Sequence, residues 1–375
     1  MASLAIASFA LVSTEFLPVG LLPQIARDLG LSEGRAGLMV TLPSVMGALA
    51  APMTIAYAGR LDRRWLLGGL LGLLALSNFL VAFSSSFPAI LFGRLLMGIA
   101  VGGFWTAGGS LGPRLKPGPR SARASALILS GVSVGTVAGV PAGALLGELV
   151  GWRWAFGAAG AISLGVLVMV LALLPPLPAA ATHNGLRDVP ALLREPKVQL
   201  GLVAVVLLFG GQFGAYTYIS PFLLQVSGIA PALLSAVLLG YGAAGFFGNL
   251  LGGWLAERSL RGALVATGLV LGLSVLGLVM LGNSTTVGTV ALVLVWGMGF
   301  GMLPISLQSW MFGAAPHKLE AVQALGVSTS QAAIGGGALL GGLLADNLGL
   351  ASAMWLGALC ALAFTGALAV GRRHG

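Results

Sequence analysis

The sequence predicts an all-helical membrane protein of twelve spans, laid out as two pseudo-symmetric halves of six. Three observations carry that expectation. Of 375 residues, 57% are hydrophobic and 8% charged, against about 25% charged in soluble domains, and the mean hydropathy is +1.00. The apolar residues fall into stretches of about 20, the length that crosses a hydrocarbon core. The most polar segment, "ATHNGLRDVPALLREPK" at 181–197, divides six such stretches from six.

Taken in order, the first stretch (2–24) has no basic leader and no small-residue cleavage site, so it reads as a span and not as a removable leader. It carries Glu15, a carboxylate whose insertion costs roughly 2.5–3.5 kcal/mol at mid-membrane. Span 2 (36–58) runs into the loop "AGRLDRR" at 58–64, which is followed by span 3 (65–84). Span 4 (88–111) holds Arg94, the one basic residue inside a span. Span 5 (124–147) carries Gly131, Gly135, Gly139, Gly143 and Gly147 with Pro141 among them. Residues four apart share a helix face, so another helix can approach closely along this stripe. Span 6 (154–174) completes a first half, residues 1–175, and 176–198 form a linker. Spans 7 to 12 (199–219, 232–256, 263–281, 286–311, 321–344 and 350–370) make up a second half, residues 199–375. The halves repeat: "GALLGELVGW" (143–152) precedes "GGLLADNLGL" (341–350) by 198 residues, and "GRLDRR" (59–64) precedes "AERSLR" (256–261) by 197.

The net charge of +9 is explained by topology. With both termini cytoplasmic, fifteen of the nineteen basic residues fall in inside loops, leaving Arg27, Arg35 and Arg153 outside and Arg94 in its span, the asymmetry of the positive-inside rule. Nucleic acid is therefore not an expected partner. Enzyme signatures fail on context. "GYGAAG" (240–245) has the spacing of a dinucleotide loop but lies in an apolar span with no strand before it. "GVSVG" (131–135) has that of a nucleophile elbow, yet His183, His317 and His374 lie in loops or at the terminus, leaving Ser133 without a base. No paired cysteines, metal motif or nucleotide loop occurs, and Cys360 is the single cysteine. No cofactor is expected, and an ion gradient is the expected energy source.

Four stretches taken together resemble a known family: "TEFLPVGLLPQIARDLGLSEG" (14–34), "GRLLMGIAVGGFW" (93–105), "GVPAGALLGELVGWRWAF" (139–156) and "GQFGAYTYISP" (211–221). They are similar to the twelve-span drug:proton antiporter family of the major facilitator superfamily, and within it to bacterial purine ribonucleoside efflux transporters and their sugar-efflux relatives. The loop at 58–64 departs by being shortened, although Gly59, Asp62, Arg63 and Arg64 remain. The resemblance implies a multi-pass protein of the bacterial inner membrane with a solute site between the halves. It also implies gating roles for those four loop residues, for Gly135, Gly139, Pro141 and Gly143 where the halves meet, and for Glu148 and Arg153 at the outer end of span 5.

Among the residues themselves, Glu15 is the only acidic group well inside a span. Burial disfavours the charged form of a carboxylate, which suits a group that must take up and release a proton. The alternative is a packing residue. Arg94 is the second coupling candidate, with a helix-anchoring role as its alternative. For a flat polar solute, the candidate lining is Trp105, Gln212, Phe213, Tyr216, Tyr218, Asn249, Trp296, Gln308 and Gln331, because rings stack on a base and amides bond its edge. Trp65, Trp152, Trp154 and Trp254 read as interface anchors. The expected activity is proton-coupled efflux of a small polar aromatic solute, purine ribonucleosides first, by a monomer. Sugar or drug efflux is the runner-up, and a non-transporting sensor or an uncoupled uniporter the reading from another class.

Overall fold

The computed structural model describes residues 2–58, 61–108, 111, 131, 134–177, 189–281, 285–316 and 318–370. Among these, the helices are α1 (Ala2–Leu29), α2 (Glu33–Ala36), α3 (Leu38–Ala58), α4 (Arg63–Phe83), α5 (Phe87–Gly108), a single π-helical turn at Gly135–Gly139 leading into α6 (Val140–Val150), and α7 (Trp152–Leu173). After them come α8 (Val189–Leu192), α9 (Pro196–Tyr216), α10 (Ile219–Gln225), α11 (Pro231–Arg258), α12 (Leu260–Leu281), α13 (Thr286–Ala314), α14 (Leu319–Leu348) and α15 (Leu350–Val370). Among the described residues, each of the twelve expected spans is helical over most of its length. Among the described residues, ten helices are long and apolar enough to cross a membrane. The 30-residue α14 has the length as well, its apolar character diluted by Gln323, Ser328, Thr329, Ser330 and Gln331. The start of span 5, much of the linker and Gly59 lie outside the described residues.

One span differs from expectation. Span 7 was expected to run to 219, but α9 ends at Tyr216 and α10 starts at Ile219. Pro221 has no N–H to offer the carbonyl of Thr217, so the helix breaks there and re-forms as a short piece.

Local chemistry sets the helix ends. Asp62 accepts the Arg64 backbone N–H at 2.8 Å as the cap of α4, and Thr285 accepts from Gly288 N as the cap of α13. Gly151 and Gly349, with φ of +96° and +87°, are the single residues joining α6 to α7 and α14 to α15, a left-handed turn that glycine makes at no steric cost. They stand in corresponding places of the two repeats. The far ends correspond too: an Arg64 guanidinium N–H bonds the carbonyl of Leu171, and one of Arg261 bonds that of Leu368. In each case an arginine at the start of a half's third span satisfies a carbonyl near the end of its sixth.

The bundle therefore has a linker end, with the starts of α4 and α12, and a loop end, with α2 and the turn at Gly349. Helices α3 and α14 pack on each other across the middle, with α5 behind α3 and α9 behind α14. Gly335 of α14 sits against Thr41, Ser44 and Val45 of α3, so close that a Cβ there would lie 3.0 Å from the Thr41 carbonyl. One continuous core joins Val12, Phe16 and Val19 of α1 to Ala204, Leu208 and Phe213 of α9.

Candidate functional site

Arg94 is fully buried. Its guanidinium donates to three backbone carbonyls, Met39 at 2.9 Å, Thr14 at 3.3 Å and Glu15 at 3.2 Å, and lies 5.9 Å from the centre of the Phe156 ring. Two of these acceptors exist because of prolines. A proline in a helix removes the hydrogen bond to the carbonyl four residues earlier. Pro18 in α1 thus frees Thr14, and Pro43 in α3 frees Met39. A third proline, Pro23, frees Val19, whose carbonyl accepts from the Ser220 hydroxyl of α10 at 2.8 Å. Neighbouring polar groups satisfying what a proline exposes is how such kinks persist inside a membrane.

The Glu15 carboxylate is not Arg94's hydrogen-bond partner. It points to α14, where it accepts from Gln331 Nε2 at 3.1 Å, and both side chains are buried, with 7% and 5% exposure. The guanidinium still acts on it through space. Behind Glu15, Asn78 of α4 donates to Thr14 Oγ1 at 3.3 Å and to Ser163 Oγ of α7 at 3.5 Å. A polar seam thus runs through the first six spans and is met from the other side by one neutral amide.

Phe16, the next residue, stacks on Phe213 with ring centres 5.2 Å apart. Phe213 opens an aromatic cluster. Tyr216 stacks on Tyr241 at 4.8 Å, and Trp296 stands edge-on to both tyrosines at 6.1 and 5.6 Å. Phe300 stacks on both tyrosines and meets Phe213 edge-on. Gln212 links the rings, donating to the Tyr241 hydroxyl at 2.7 Å and accepting from Trp296 Nε1 at 2.8 Å. An indole N–H only donates, so the amide orientation is set by its partners. Of the expected lining residues, Gln212, Phe213, Tyr216 and Trp296 come together here, and Gln331 lies at the Glu15 end of the same region. Phe16, Tyr241 and Phe300 complete the cluster; sequence reasoning passed over them as ordinary span residues. The available signal was their spacing with Gln212 and Trp296 on facing spans, visible only once α9, α11 and α13 are set side by side.

Other candidates lie elsewhere. Tyr218 is buried toward the loop end, donating to the Ala338 carbonyl at 2.9 Å, with its hydroxyl against Gly37 and Gly342. Gln308 meets Gln323 at 3.4 Å, and neither joins the aromatic cluster. Asn249 is half-buried on α11. Trp105 is half-buried, edge-on to Phe104 at 5.7 Å, and packs against two core clusters, one within the first half and one that spans both.

The gating candidates also separate. The glycine stripe faces α1, not the second half: Gly135 meets Phe9 and Val12, Gly139 meets Ser13, and Gly143 meets Leu17. The other side of that helix, with Val134, Val137 and Ala138, faces Ala243, Phe246 and Phe247 of α11 across a groove of about 250 Å³. Pro141 is buried in the first turn of α6. Glu148 is exposed, and Arg153 pairs with Asp28 instead, which also accepts from Trp152 Nε1 at 3.1 Å. Trp152 is therefore a buried partner and not an interface anchor, whereas Trp65, Trp154 and Trp254 are exposed. Asp62 is a helix cap, the Arg63 backbone N–H bonds the Leu177 carbonyl, and the Arg64 side chain holds Leu171.

The hydrogen bonds between the first six spans and the last six, among the described residues, all lie from Glu15 toward the loop end. Beyond Glu15 to Gln331 and Ser220 to Val19, Asp346 accepts from Ser32 Oγ at 2.6 Å and Gly34 N at 2.9 Å, and Gln225 donates to Glu33 at 3.0 Å. The two halves are thus hydrogen-bonded to each other at the loop end.

Comparison with known proteins agrees with this architecture. Residues 4–338 match the family described as the Major Facilitator Superfamily. The purine ribonucleoside efflux pump NepI of Escherichia coli O6:K15:H31 (strain 536) is 36% identical over 354 residues, 94% of this chain and 89% of that protein. NepI of strain K12 is 35% identical over the same shares. Among solved structures, a bacterial homolog of the human lysosomal transporter Spinster, in an inward-facing and occupied conformation, superimposes with a TM-score of 0.80 at 15% identity, covering 100% of this chain and 96% of that one. Its inward-facing, unoccupied form gives 0.73 at 17%, over 98% and 94%.

Proposed function

This chain belongs to the major facilitator superfamily, and from that premise we propose that it exports purine ribonucleosides or similar flat polar solutes in exchange for protons. It is a multi-pass membrane transporter of an efflux family, not an enzyme. The observation that carries the proposal is the junction at residues 15 and 16. Glu15 reaches across to a neutral amide of the second half while Phe16 stacks on the aromatic cluster, so one short piece of α1 links a titratable group to a surface suited to a base.

Arg94 makes titration of that group tolerable. Its donors rest on the carbonyls of Met39, Thr14 and Glu15, so a change of charge on the Glu15 carboxylate leaves no guanidinium hydrogen bond broken. The rings of the cluster are packed on one another here, and a base that parted them would gain stacking of the kind worth about 1–3 kcal/mol. One proton moved through 100 mV releases about 2.3 kcal/mol, enough for a nearly fifty-fold solute gradient at about 1.4 kcal/mol per decade.

In this reading the units that move are residues 1–175 and 199–375, joined by 176–198. The matched bonds from Arg64 to Leu171 and from Arg261 to Leu368 support that division, since each ties an end of a half to itself. The positive-inside asymmetry supports a linker and termini in the cytoplasm of a bacterial cell, with the loop end outside. In this orientation the hydrogen bonds at the loop end join the halves of a monomer on the outer side, with Arg153 and Glu148 at the outer rim and the Asp62 loop at the inner one.

Liposomes holding purified protein, labelled inosine and an imposed pH gradient test the proposal. Gradient-driven uptake is expected in the wild type and to fall at least ten-fold in Glu15→Gln, with inosine exchange retained. Absence of inosine movement in the wild type would discard the nucleoside assignment and direct the assay to sugars and drugs.

A further inference from the structure

The amide of Gln331 is only half used. Its Nε2 donates to the Glu15 carboxylate at 3.1 Å, but its Oε1 is buried with no partner. A buried acceptor left unmatched is costly. A carboxylate can only accept hydrogen bonds, whereas a carboxylic acid also donates one. On taking up a proton, Glu15 acquires the O–H that Oε1 lacks, and the acid and amide can close two reciprocal hydrogen bonds where the charged pair makes one. The ionised pair instead retains a carboxylate withdrawn from water, which favours any movement that hydrates it. The charged side chain acting on Glu15 is Arg94 from α5, and α14 brings the neutral Gln331. Arg94's hydrogen bonds go to backbone carbonyls, which do not titrate with the Glu15 carboxyl.

We propose that Gln331 is the positioning residue through which protonation of Glu15 closes α1 against α14: the neutral pair holds the loop end shut, and the ionised pair releases it. This rests on Glu15 being the proton site proposed above. It gives Gln331 a role in coupling rather than in lining the solute site. The contact is itself the first of the hydrogen bonds that join the halves on the loop side.

The loop-end seam supplies a probe. Ser220 is fully buried there, its hydroxyl bonded to the carbonyl of Val19 on α1, so a cysteine at this position becomes reactive only when α10 and α1 part. Ser220→Cys in a Cys360→Ala background would be reconstituted in lipid nanodiscs without solute. Its modification by a charged maleimide would be followed at pH 5.5 and pH 8, each rate divided by that of the unfolded protein at the same pH. The expected ratio between pH 8 and pH 5.5 is at least ten-fold. Gln331→Leu is expected to cut it below two-fold by raising the rate at pH 5.5. Gln331→Met, of similar length without polar atoms, serves where the leucine variant does not fold, and Gln331→Asn should recover part of the ratio. A ten-fold ratio preserved in Gln331→Leu or Gln331→Met overturns the inference. Glu15→Gln in the same background separates the two readings. If the ratio survives that change, Glu15 is not the proton site; if it disappears while the Gln331 variants keep theirs, only the role of Gln331 fails.

Discussion

In the first six spans a buried arginine rests on carbonyls that two prolines release, and in the last six a buried glutamine rests between a tyrosine and a tryptophan. Both solve the same difficulty, a strong hydrogen-bonding group in a place without water, but they lead to different abilities. The hydrogen-bond partners of Arg94 are backbone carbonyls and not the nearby carboxylate. Gln212 has an N–H on the Tyr241 hydroxyl and its carbonyl on the Trp296 N–H, so it orders rings without carrying charge. The difference teaches a division of labour: the ionisable groups sit in one half and the aromatic cluster in the other, so under the proposed coupling charge varies in the first while shape is held in the second. Meanwhile the ends of the halves, with Arg64 on Leu171 and Arg261 on Leu368, stay alike.

The comparison can be broken most severely at Arg94. Arg94→Met leaves the carbonyls of Thr14 and Met39 without donors and Glu15 without its compensating charge. Removing one member of a buried charged arrangement costs on the order of 3–5 kcal/mol. Thermal unfolding in detergent should show a large fall in midpoint, and a variant as stable as the wild type would mean that water or lipid replaces the guanidinium. Gln212→Leu should have an intermediate effect. It strands the Trp296 N–H and one bond of the Tyr241 hydroxyl, about 1–3 kcal/mol, and should weaken inosine binding while leaving the pH response of transport in place. Loss of that pH response would erase the division between the halves. The smallest effect sharpens the symmetry: Arg64→Ala and Arg261→Ala each remove one hydrogen bond at the edge of the bundle, worth about 0.5–1.5 kcal/mol. Their unfolding midpoints should fall by similar amounts, and unequal losses would show that the repeats are matched in sequence but not in energy.

Much of this was legible in advance where it depended on hydropathy. Each described expected span is helical because about 20 apolar residues in lipid have few other ways to satisfy their backbone. Glu15 stood out as a carboxylate with no neighbour of its kind in any span. The glycine stripe announced a close helix contact but not its partner. Four-residue spacing defines a face, and nothing in spacing says that Ala5, Phe9, Ser13 and Leu17 of α1 would fill it. Likewise Arg153 follows Glu148 by five residues, yet pairs with Asp28 from α1, since the turn at Gly151 carries it past its neighbour.

What the sequence by itself determined is the membrane frame: the spans, their repeat, the sidedness expected of the loops and the isolation of Glu15 and Arg94. These follow from local composition, which the bilayer reads one segment at a time. Only the tertiary structure decided the partners. That Thr14 and Met39 would face Arg94, that Gln331 would reach Glu15, and that Phe16, Tyr241 and Phe300 would join Gln212 and Trp296 depends on the rotation and depth of helices far apart in the chain. Those are set by side-chain packing between helices, a property of pairs of surfaces that no single segment contains.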